Sequence, residues 1–202
     1  IVGEPYQYAT NYDSQGIDEI VFLDIVASLY GRNSLIGLVE KTTENVFTPV
    51  TVGGGIRSVD DAKNLLRVGA DKIAINTEAV RRPELISEMA DKFGSQCMVL
   101  QIDAKRNGDS WQVWTNGGRE PSRENAVEWA KHGVSLGAGE ILLTSIDKEG
   151  TRLGCDADLI KTICSAVNVP VIASGGVGSE NHVVQAFENG ADGVAMAHVL
   201  HR

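Results

Sequence analysis

Residues 48 to 80 read TPVTVGGGIRSVDDAKNLLRVGADKIAINTEAV, and this stretch holds an apolar run that ends in glycines, a helix-like segment and a second apolar run. The same plan returns 121 positions further along the chain, where residues 169 to 201 read VPVIASGGVGSENHVVQAFENGADGVAMAHVLH. At this offset the glycine pair of the first stretch falls on a glycine pair in the second, and Asp71 falls on Asp192. An internal duplication explains the match, and two related half-domains are predicted.

The composition limits the classes of function. The chain has 202 residues, of which 43% are hydrophobic, so it can bury one large core, and the shared repeat favours one domain over two. A net charge of -9 argues against broad electrostatic binding of nucleic acid or of an anionic membrane. Three cysteines without a CxxC pair argue against a disulfide framework and a structural zinc site, and no metal or other cofactor is expected. No signal peptide or membrane-length apolar stretch is evident, so a cytoplasmic location is expected.

Strands and helices are predicted to alternate along the chain. The patterns predict helices over residues 4–15, 34–44, 58–67, 83 onward, 122–136, 156–167 and 180–188, and strands over residues 20–23, 49–52, 72–75, 97–102, 140–144, 170–173 and 193–197. Residues 107–118, NGDSWQVWTNGG, interrupt this order and are predicted to form a small inserted hairpin. Strands that alternate with helices at this spacing are typical of a parallel sheet covered on both faces.

These patterns give seven strands, whereas a closed parallel barrel has eight. The repeat indicates that the strand ending at Asp103 should have a partner about eighteen residues before Ile1. No helix is predicted after the last strand. We therefore expect an α/β fold, a (βα)8 TIM barrel built from two repeated half-barrels in one domain over residues 1–202, with the first strand and the last helix outside the sequence.

The active site of such a barrel lies at the carboxyl ends of its strands. Two glycine pairs at that rim can offer backbone N–H groups and a helix N-terminus to a phosphate. Because the duplication would place the pairs on opposite sides, a ligand with a phosphate at each end is predicted, and the alternative is that the glycines only permit tight turns. The rim residues are Asp24, Gly54, Gly55, Asn76, Thr77, Asp103, Ser145, Asp147, Gly175, Gly176, Ala197 and His198.

Asp103 is the main candidate for acid–base chemistry. It follows an apolar strand, where poor solvation can bring the pKa of a carboxyl group toward a useful range. The alternative is a helix-capping or salt-bridged aspartate. Asp24 and Asp147 are weaker candidates for substrate contacts, as is Ser145, and Lys105 is expected to attract phosphate or to close a loop.

Four segments resemble the cyclase subunit of imidazole glycerol phosphate synthase. They are VGGGIRSVDDAKNLLRVGADKIAINTEAV from Val52, FGSQCMVLQIDAKR from Phe93, GAGEILLTSIDKEGT from Gly137 and VPVIASGGVGS from Val169, and the run FGSQ…IDAKR is specific to that family. The resemblance implies a (βα)8 barrel that takes ammonia from a glutaminase partner. It would convert a bis-phosphorylated formimino ribonucleotide into imidazole glycerol phosphate and aminoimidazole carboxamide ribotide in histidine biosynthesis.

The resemblance also implies roles for single residues. Asp103 would be one of two catalytic aspartates, the second belonging to the missing first strand, and a chain without it is expected to be inactive. Glu19, Lys72 and Glu140 match the charged ring at which ammonia enters the family's barrel, although a stabilising salt-bridge layer is the alternative at that face. One phosphate would be held by Gly55, Asn76 and Thr77, and the other by Gly150, Gly176, Ala197 and His198.

Two departures leave alternatives open. The family usually has Asp where Glu149 stands and Ser where His198 stands, so the chain is either a cyclase with tolerated changes or a cyclase-like partner of an amidotransferase in surface-sugar synthesis. The isomerase of the same pathway acts on a similar bis-phosphate and needs no ammonia. Asn76, where the isomerase usually has glycine, and the run IDAKR favour the cyclase. A non-catalytic barrel fragment that keeps the phosphate sites is the last alternative.

Overall fold

The computed structural model describes residues 4–24 and 34–200. Helices and parallel strands alternate in it, which confirms the predicted α/β fold of the (βα)8 TIM-barrel class. The helices are α1 (Pro5–Ser14), α2 (Ser34–Thr43), α3 (Val59–Arg67), α4 (Thr77–Arg81), α5 (Glu84–Phe93), α6 (Ala126–Ser135), α7 (Ala157–Ala166) and α8 (Glu180–Glu188). The strands are β1 (Ile20–Leu23), β2 (Val50–Gly53), β3 (Lys72–Ile75), β4 (Met98–Asn107), β5 (Ser110–Thr115), β6 (Glu120–Asn125), β7 (Glu140–Ser145), β8 (Val171–Ser174) and β9 (Gly193–Ala195).

The chain divides into two compact units, Ile1–Ile75 and Asn76–Arg202. In the first unit β2 lies between β1 and β3, and both pairings are parallel. All four residues of β2 are buried, as expected for a strand covered on both faces. This arrangement brings the loops that follow β1 and β2 to the same edge of the sheet.

In the second unit β4, β7, β8 and β9 pair in that order, and every one of these pairings is parallel. Leu100, Ile102, Ile141 and Leu143 are at most 1% exposed, so neighbouring strands β4 and β7 form the centre of this core. The carboxyl ends of these strands carry Asp103 and the glycine loop after β8.

Three predicted boundaries are wrong. The strand predicted to end at Ile102 continues to Asn107, because β5 pairs with its second half in antiparallel fashion. The helix predicted from Ser122 begins only at Ala126, because residues 120–125 form β6 and Asn125 caps the helix by accepting hydrogen bonds from the N–H groups of Val127 and Glu128. The last strand ends at Ala195 instead of residue 197. Helix α4 was not predicted, since five residues are too few to show helical periodicity.

The duplication is visible in the hydrogen bonds. Val50 at the start of β2 donates its N–H to Asp71 Oδ2 at 2.8 Å, and the repeat-related Val171 at the start of β8 donates to Asp192 Oδ2 at 2.9 Å. Before α3, the N–H of residue 57 binds Asp61 Oδ2 at 3.0 Å, and before α8 the N–H of residue 178 binds His182 Nδ1 at 3.1 Å. A carboxylate and an imidazole thus perform the same capping task in the two halves, which supports the predicted repeat.

Asp13 fixes the loop before β2 in the first unit. Its Oδ1 accepts hydrogen bonds from Thr48 Oγ1 at 2.6 Å, from the Thr48 N–H at 2.9 Å and from the Phe47 N–H at 3.2 Å. These bonds, led by the one from the Thr48 side chain, hold the pKa of Asp13 below its ordinary value of 3.8. The charged form of Asp13 is therefore the form that stabilises this loop.

Replacing Asp13 with alanine should lower the melting temperature at neutral pH. The pKa of Asp13 is lower in the folded protein than in the unfolded chain. The stabilisation of the fold by ionised Asp13 is therefore present above pH 3.8, the ordinary pKa, and is lost as the pH falls through the pKa of the folded state. The difference in melting temperature between wild type and variant should therefore shrink in acid. Thermal melts at several pH values measure this, with Asp18→Ala as a control that removes the same charge from an exposed position. A pH-independent difference would contradict the assignment.

Candidate active site

Asp103 lies at the level where the central strands of the second unit end. It is opposite Thr144 of β7, one residue before that strand ends, and opposite Trp114 of β5. The residue is only 6% exposed. Its hydrogen bonds come from two side-chain amides, since Asn76 Nδ2 donates to Oδ2 at 3.0 Å and Gln101 Nε2 donates to Oδ1 at 3.1 Å. Among the described residues the carboxyl group is therefore bound by two neutral amides, and this geometry leaves it available for acid–base chemistry.

The surroundings of Asp103 raise the pKa of its carboxyl group. Burial has the largest effect and raises the pKa, while the hydrogen bonds from Gln101 and Asn76 lower it and the negative charge of Glu149 raises it, so that the pKa lies above the ordinary value of 3.8. A buried carboxyl with a raised pKa can hold a proton nearer to neutral pH than an exposed aspartate can. Such a group is suited to exchange a proton with a bound substrate.

Asn76 contacts both strands of the hairpin formed by β4 and β5, through Asp103 and Trp114. Its Nδ2 donates a second hydrogen bond, to the carbonyl oxygen of Trp114 at 3.0 Å. Asn76 is 9% exposed, and its Oδ1 is buried without a hydrogen-bond partner among the described residues. The neighbouring Thr77 accepts a hydrogen bond at Oγ1 from the N–H of Asn116 at 2.9 Å. The start of α4 is thus joined to the hairpin at two adjacent residues.

Gln101 is a site residue that the sequence analysis missed. It lies two positions before Asp103 on β4, and residues two apart on a strand point to the same face. A polar residue at that position in an otherwise apolar strand was the available signal. The interaction of Asp103 with Asn76 had no such signal, because it joins residues 27 positions apart.

The loops that follow β7 and β8 are joined in the second unit. Gly154 donates its N–H to the carbonyl oxygen of Gly176 at 2.8 Å. Gly175 and Gly176 have φ angles of +95° and +93°, and a Cβ atom added at Gly176 would lie 2.2 Å from Gly154 O. Only glycine fits this close approach of two backbones. Gly150, with φ of +73°, turns the same loop after β7.

The repeat-related loops of the first unit also approach each other closely. The N–H of Asp24 donates to Gly53 O at 2.9 Å, and Gly54 has a φ of +97°. A Cβ atom added at Gly54 would lie 2.2 Å from Asp24 O. Gly55 also has a positive φ, of +69°. Each unit therefore has a glycine turn that requires glycine, in agreement with the duplication and with either interpretation of the glycine pairs.

The other predicted contacts have different surroundings. Ser145 is 2% exposed, and its carbonyl oxygen accepts the N–H groups of Lys148 and Glu149. Asp147 accepts a hydrogen bond from the N–H of Arg106 at 2.7 Å, which ties it to β4. Ala197 and His198 lie in an exposed turn after β9. Lys105 lies over the ring of Trp114, with its Nζ 4.6 Å from the centroid. The structure thus brings Asp103, Asn76 and Gln101 together and gives Asp147 a structural contact.

Glu19 and Lys72 form a salt bridge of 2.7 Å in the first unit, and Glu19 also accepts a hydrogen bond from Thr51 Oγ1 at 2.5 Å. Their side chains are 25% and 22% exposed, so the pair is only partly shielded from water. Glu140 is the first residue of β7 and lies opposite Val99 in the second unit. A salt bridge at this position is what the alternative interpretation, a stabilising layer at the amino ends of the strands, predicts.

Residues 4–24 and 34–200 contain no group of three or more His, Cys, Asp or Glu side chains that could hold a metal ion. In the same part of the chain, every helix is too short or too polar to cross a membrane.

Comparison with known proteins gives consistent similarities. A profile of the family described as "Histidine biosynthesis protein" matches residues 1–202. A protein of Legionella pneumophila named imidazole glycerol phosphate synthase subunit HisF is 59% identical over 179 residues, which cover 88% of this chain and 84% of the relative. Proteins with the same name from Pyrococcus furiosus and Myxococcus xanthus are 53% and 52% identical, cover 98% and 99% of this chain, and are each matched over 79% of their own length.

Proposed function

Because the chain belongs to the histidine biosynthesis protein family, we propose that it acts as the cyclase subunit of an imidazole glycerol phosphate synthase. The observation that carries the proposal is the identity of more than half of the residues to named cyclase subunits along nearly the whole chain. The substrate is then a bis-phosphorylated formimino ribonucleotide, and the products are imidazole glycerol phosphate and aminoimidazole carboxamide ribotide.

The geometry around Asp103 supports a role in proton transfer. Ring closure with ammonia as nucleophile requires protons to leave nitrogen and to return to a leaving group, and a single carboxyl can perform both transfers if it is held in place. Asn76 and Gln101 each bind one oxygen of Asp103, which fixes the plane of the carboxyl group. We assign Asp103 the role of a catalytic acid and base, with a contribution on the order of 10²–10⁴ to the rate.

The glycine loops are assigned to the phosphate groups. In the second unit the loop with Gly175 and Gly176 offers backbone N–H groups near the start of α8, and Gly150, Ala197 and His198 are assigned to the same phosphate. In the first unit the loop with Gly54 and Gly55 has the corresponding place before α3. Anions bind well at such positions because the first N–H groups of a helix lack partners within the helix.

The related proteins are each named as a subunit of a synthase, so this chain functions in a complex. We assign the second subunit to a glutaminase that supplies ammonia. Glu19, Lys72 and Glu140 are the residues assigned to ammonia entry. The salt bridge between Glu19 and Lys72 gives two of them a defined conformation.

The test is an assay of the full-length protein, including any residues that precede Ile1 in the natural chain, with the formimino ribonucleotide. With ammonium salt the protein should form imidazole glycerol phosphate, and without ammonium it should form none. With glutamine in place of ammonium, product should appear only after the glutaminase subunit is added. Consumption of the ribonucleotide without ammonium would favour the isomerase, and binding without consumption would favour the non-catalytic alternative.

A further inference from the structure

The orientation of the Asn76 side-chain amide is fixed by its neighbours. Nδ2 donates to Asp103 Oδ2 and to Trp114 O, each at 3.0 Å. If the amide were turned by 180°, Oδ1 would face the carbonyl oxygen of Trp114, which never carries a hydrogen, and a carboxyl oxygen of Asp103, which can donate only when Asp103 is protonated. The two N–H groups of Asn76 are therefore fully used, and its oxygen points away from both partners.

That oxygen is an acceptor without a donor. Asn76 Oδ1 is buried and has no hydrogen-bond partner among the described residues, although Asn76 is 9% exposed as a whole. Buried polar atoms nearly always have a partner in native proteins, so this acceptor requires a donor from outside the described residues, either a water molecule or a ligand. The unused atom also belongs to the same amide group that holds Asp103.

The chemistry of Oδ1 restricts the ligand. A carbonyl-type oxygen binds only hydrogen-bond donors, so this atom cannot contact a phosphate oxygen. The atom has less than 1 Å² of accessible surface, so any ligand reaches it only after a small movement of the surrounding side chains, and a sugar or a phosphate group would require a much larger one. A small molecule with N–H or O–H groups fits both restrictions, and of the reactants in the proposed function ammonia is the one of that size.

We propose that Asn76 is an ammonia-binding residue whose Oδ1 accepts a hydrogen bond from ammonia held beside Asp103. The inference rests on the proposed function, because that function supplies ammonia as a reactant. It differs from a phosphate-binding role of the Asn76 side chain, since both N–H groups of that side chain are already bound to Asp103 and Trp114. The same amide group then binds the nucleophile through its oxygen and the carboxyl that takes a proton through its nitrogen.

The test compares Asn76→Ala with Gln101→Leu. Each variant removes one amide that donates to Asp103, but only the first removes the proposed ammonia acceptor. At fixed pH and saturating ribonucleotide, Asn76→Ala should raise the KM for ammonia, supplied as ammonium chloride, by about 3- to 10-fold, the effect of one neutral hydrogen bond. Its KM for the ribonucleotide should change by less than about 2-fold. Gln101→Leu should lower kcat and leave the KM for ammonia unchanged.

A third variant keeps the acceptor. Asn76→Asp has an oxygen at the place of Oδ1, and its second oxygen can keep the contact with Asp103 by sharing one proton with it, so the KM for ammonia should return toward the wild-type value while kcat falls because Asp103 no longer exchanges its proton freely. Thermal melts show which variants are folded. An unchanged KM for ammonia in Asn76→Ala, or an equal rise in Gln101→Leu, would overturn the inference and leave Oδ1 to a structural water. A wild-type protein that does not use ammonia at all would instead overturn the proposed function.

Discussion

Replacing Asp103 with asparagine should lower turnover with ammonium and the ribonucleotide by about 10²–10⁴-fold, the range for a positioned acid or base. Asparagine keeps the shape of the side chain. Its Oδ1 can still accept the hydrogen bond from Asn76, and its Nδ2 can donate to Gln101 once the Gln101 amide has turned so that Oε1 faces it. The variant therefore removes the titrating group with little change in packing. Steady-state kinetics with ammonium chloride measure the effect.

The stability of the same variant is the control for unfolding. Burial raises the pKa of Asp103 above 3.8 in the folded protein. The stabilisation that comes from protonating Asp103 is therefore fully present below pH 3.8 and is lost as the pH rises through the pKa of the folded state. At neutral pH the ionised carboxyl thus opposes folding, and Asp103→Asn should melt at the wild-type temperature or above it. An inactive variant that also melts lower would attribute the loss to misfolding, and a stable variant with normal turnover would remove Asp103 from the mechanism.

Glu149→Gln provides a second readout of the same carboxyl. The negative charge of Glu149 raises the pKa of Asp103, so removing that charge should lower the pKa of Asp103 and move the corresponding limb of the pH profile of kcat/KM to lower pH. The limb should be absent from the residual activity of Asp103→Asn. A limb that stays in place in Glu149→Gln would belong to another group.

The fold could be predicted largely because its signals are local and repeated. Each strand is a short apolar run, and the helix at Val59–Arg67 begins at Ser58, whose side chain accepts the N–H of Asp61 as the spacing of the two residues indicates. The offset of 121 positions also predicted the equivalence of Asp71 and Asp192, which bind the first N–H of β2 and of β8. Signals of this kind involve neighbours in sequence or exact copies of them, so they can be read without coordinates.

The surroundings of Asp103 could be predicted only in part. Its burial followed from the apolar strand that precedes it, whereas its partners come from three separate segments. Asn76 lies 27 positions earlier, and the carbonyl of Trp114 that shares its amide lies on a strand whose pairing with β4 was not expected. The extension of β4 to Asn107 depends on this antiparallel partner. The sequence of β4 alone therefore predicted an end of the strand at residue 102, which is too early. Tertiary pairing determined both features.

The glycine loop after β8 in the second unit should not tolerate replacement of Gly176 by alanine. A Cβ atom at Gly176 would lie 2.2 Å from the carbonyl oxygen of Gly154 and 3.0 Å from Lys148 Cβ, at a φ angle of +93°. Alanine there must move the loop after β7 and break the hydrogen bond from the Gly154 N–H to Gly176 O. If this loop binds a phosphate, Gly176→Ala should raise the KM for the ribonucleotide by about 10- to 100-fold, the effect of losing one or two hydrogen bonds to a charged group.

Gly108→Ala is the matched control for this variant. Gly108 has a φ of +60° and turns the chain between β4 and β5, but an added Cβ would meet no described atom within 4 Å. It should therefore lose about 1–2 kcal/mol of stability from backbone strain alone and keep its KM for the ribonucleotide. Crystals of the wild type soaked in sulfate should in addition show an anion at the Gly176 loop. If Gly176→Ala is folded and its KM equals that of Gly108→Ala, the loop serves only the turn, because a displaced phosphate-binding backbone could not leave the affinity for a bis-phosphate unchanged.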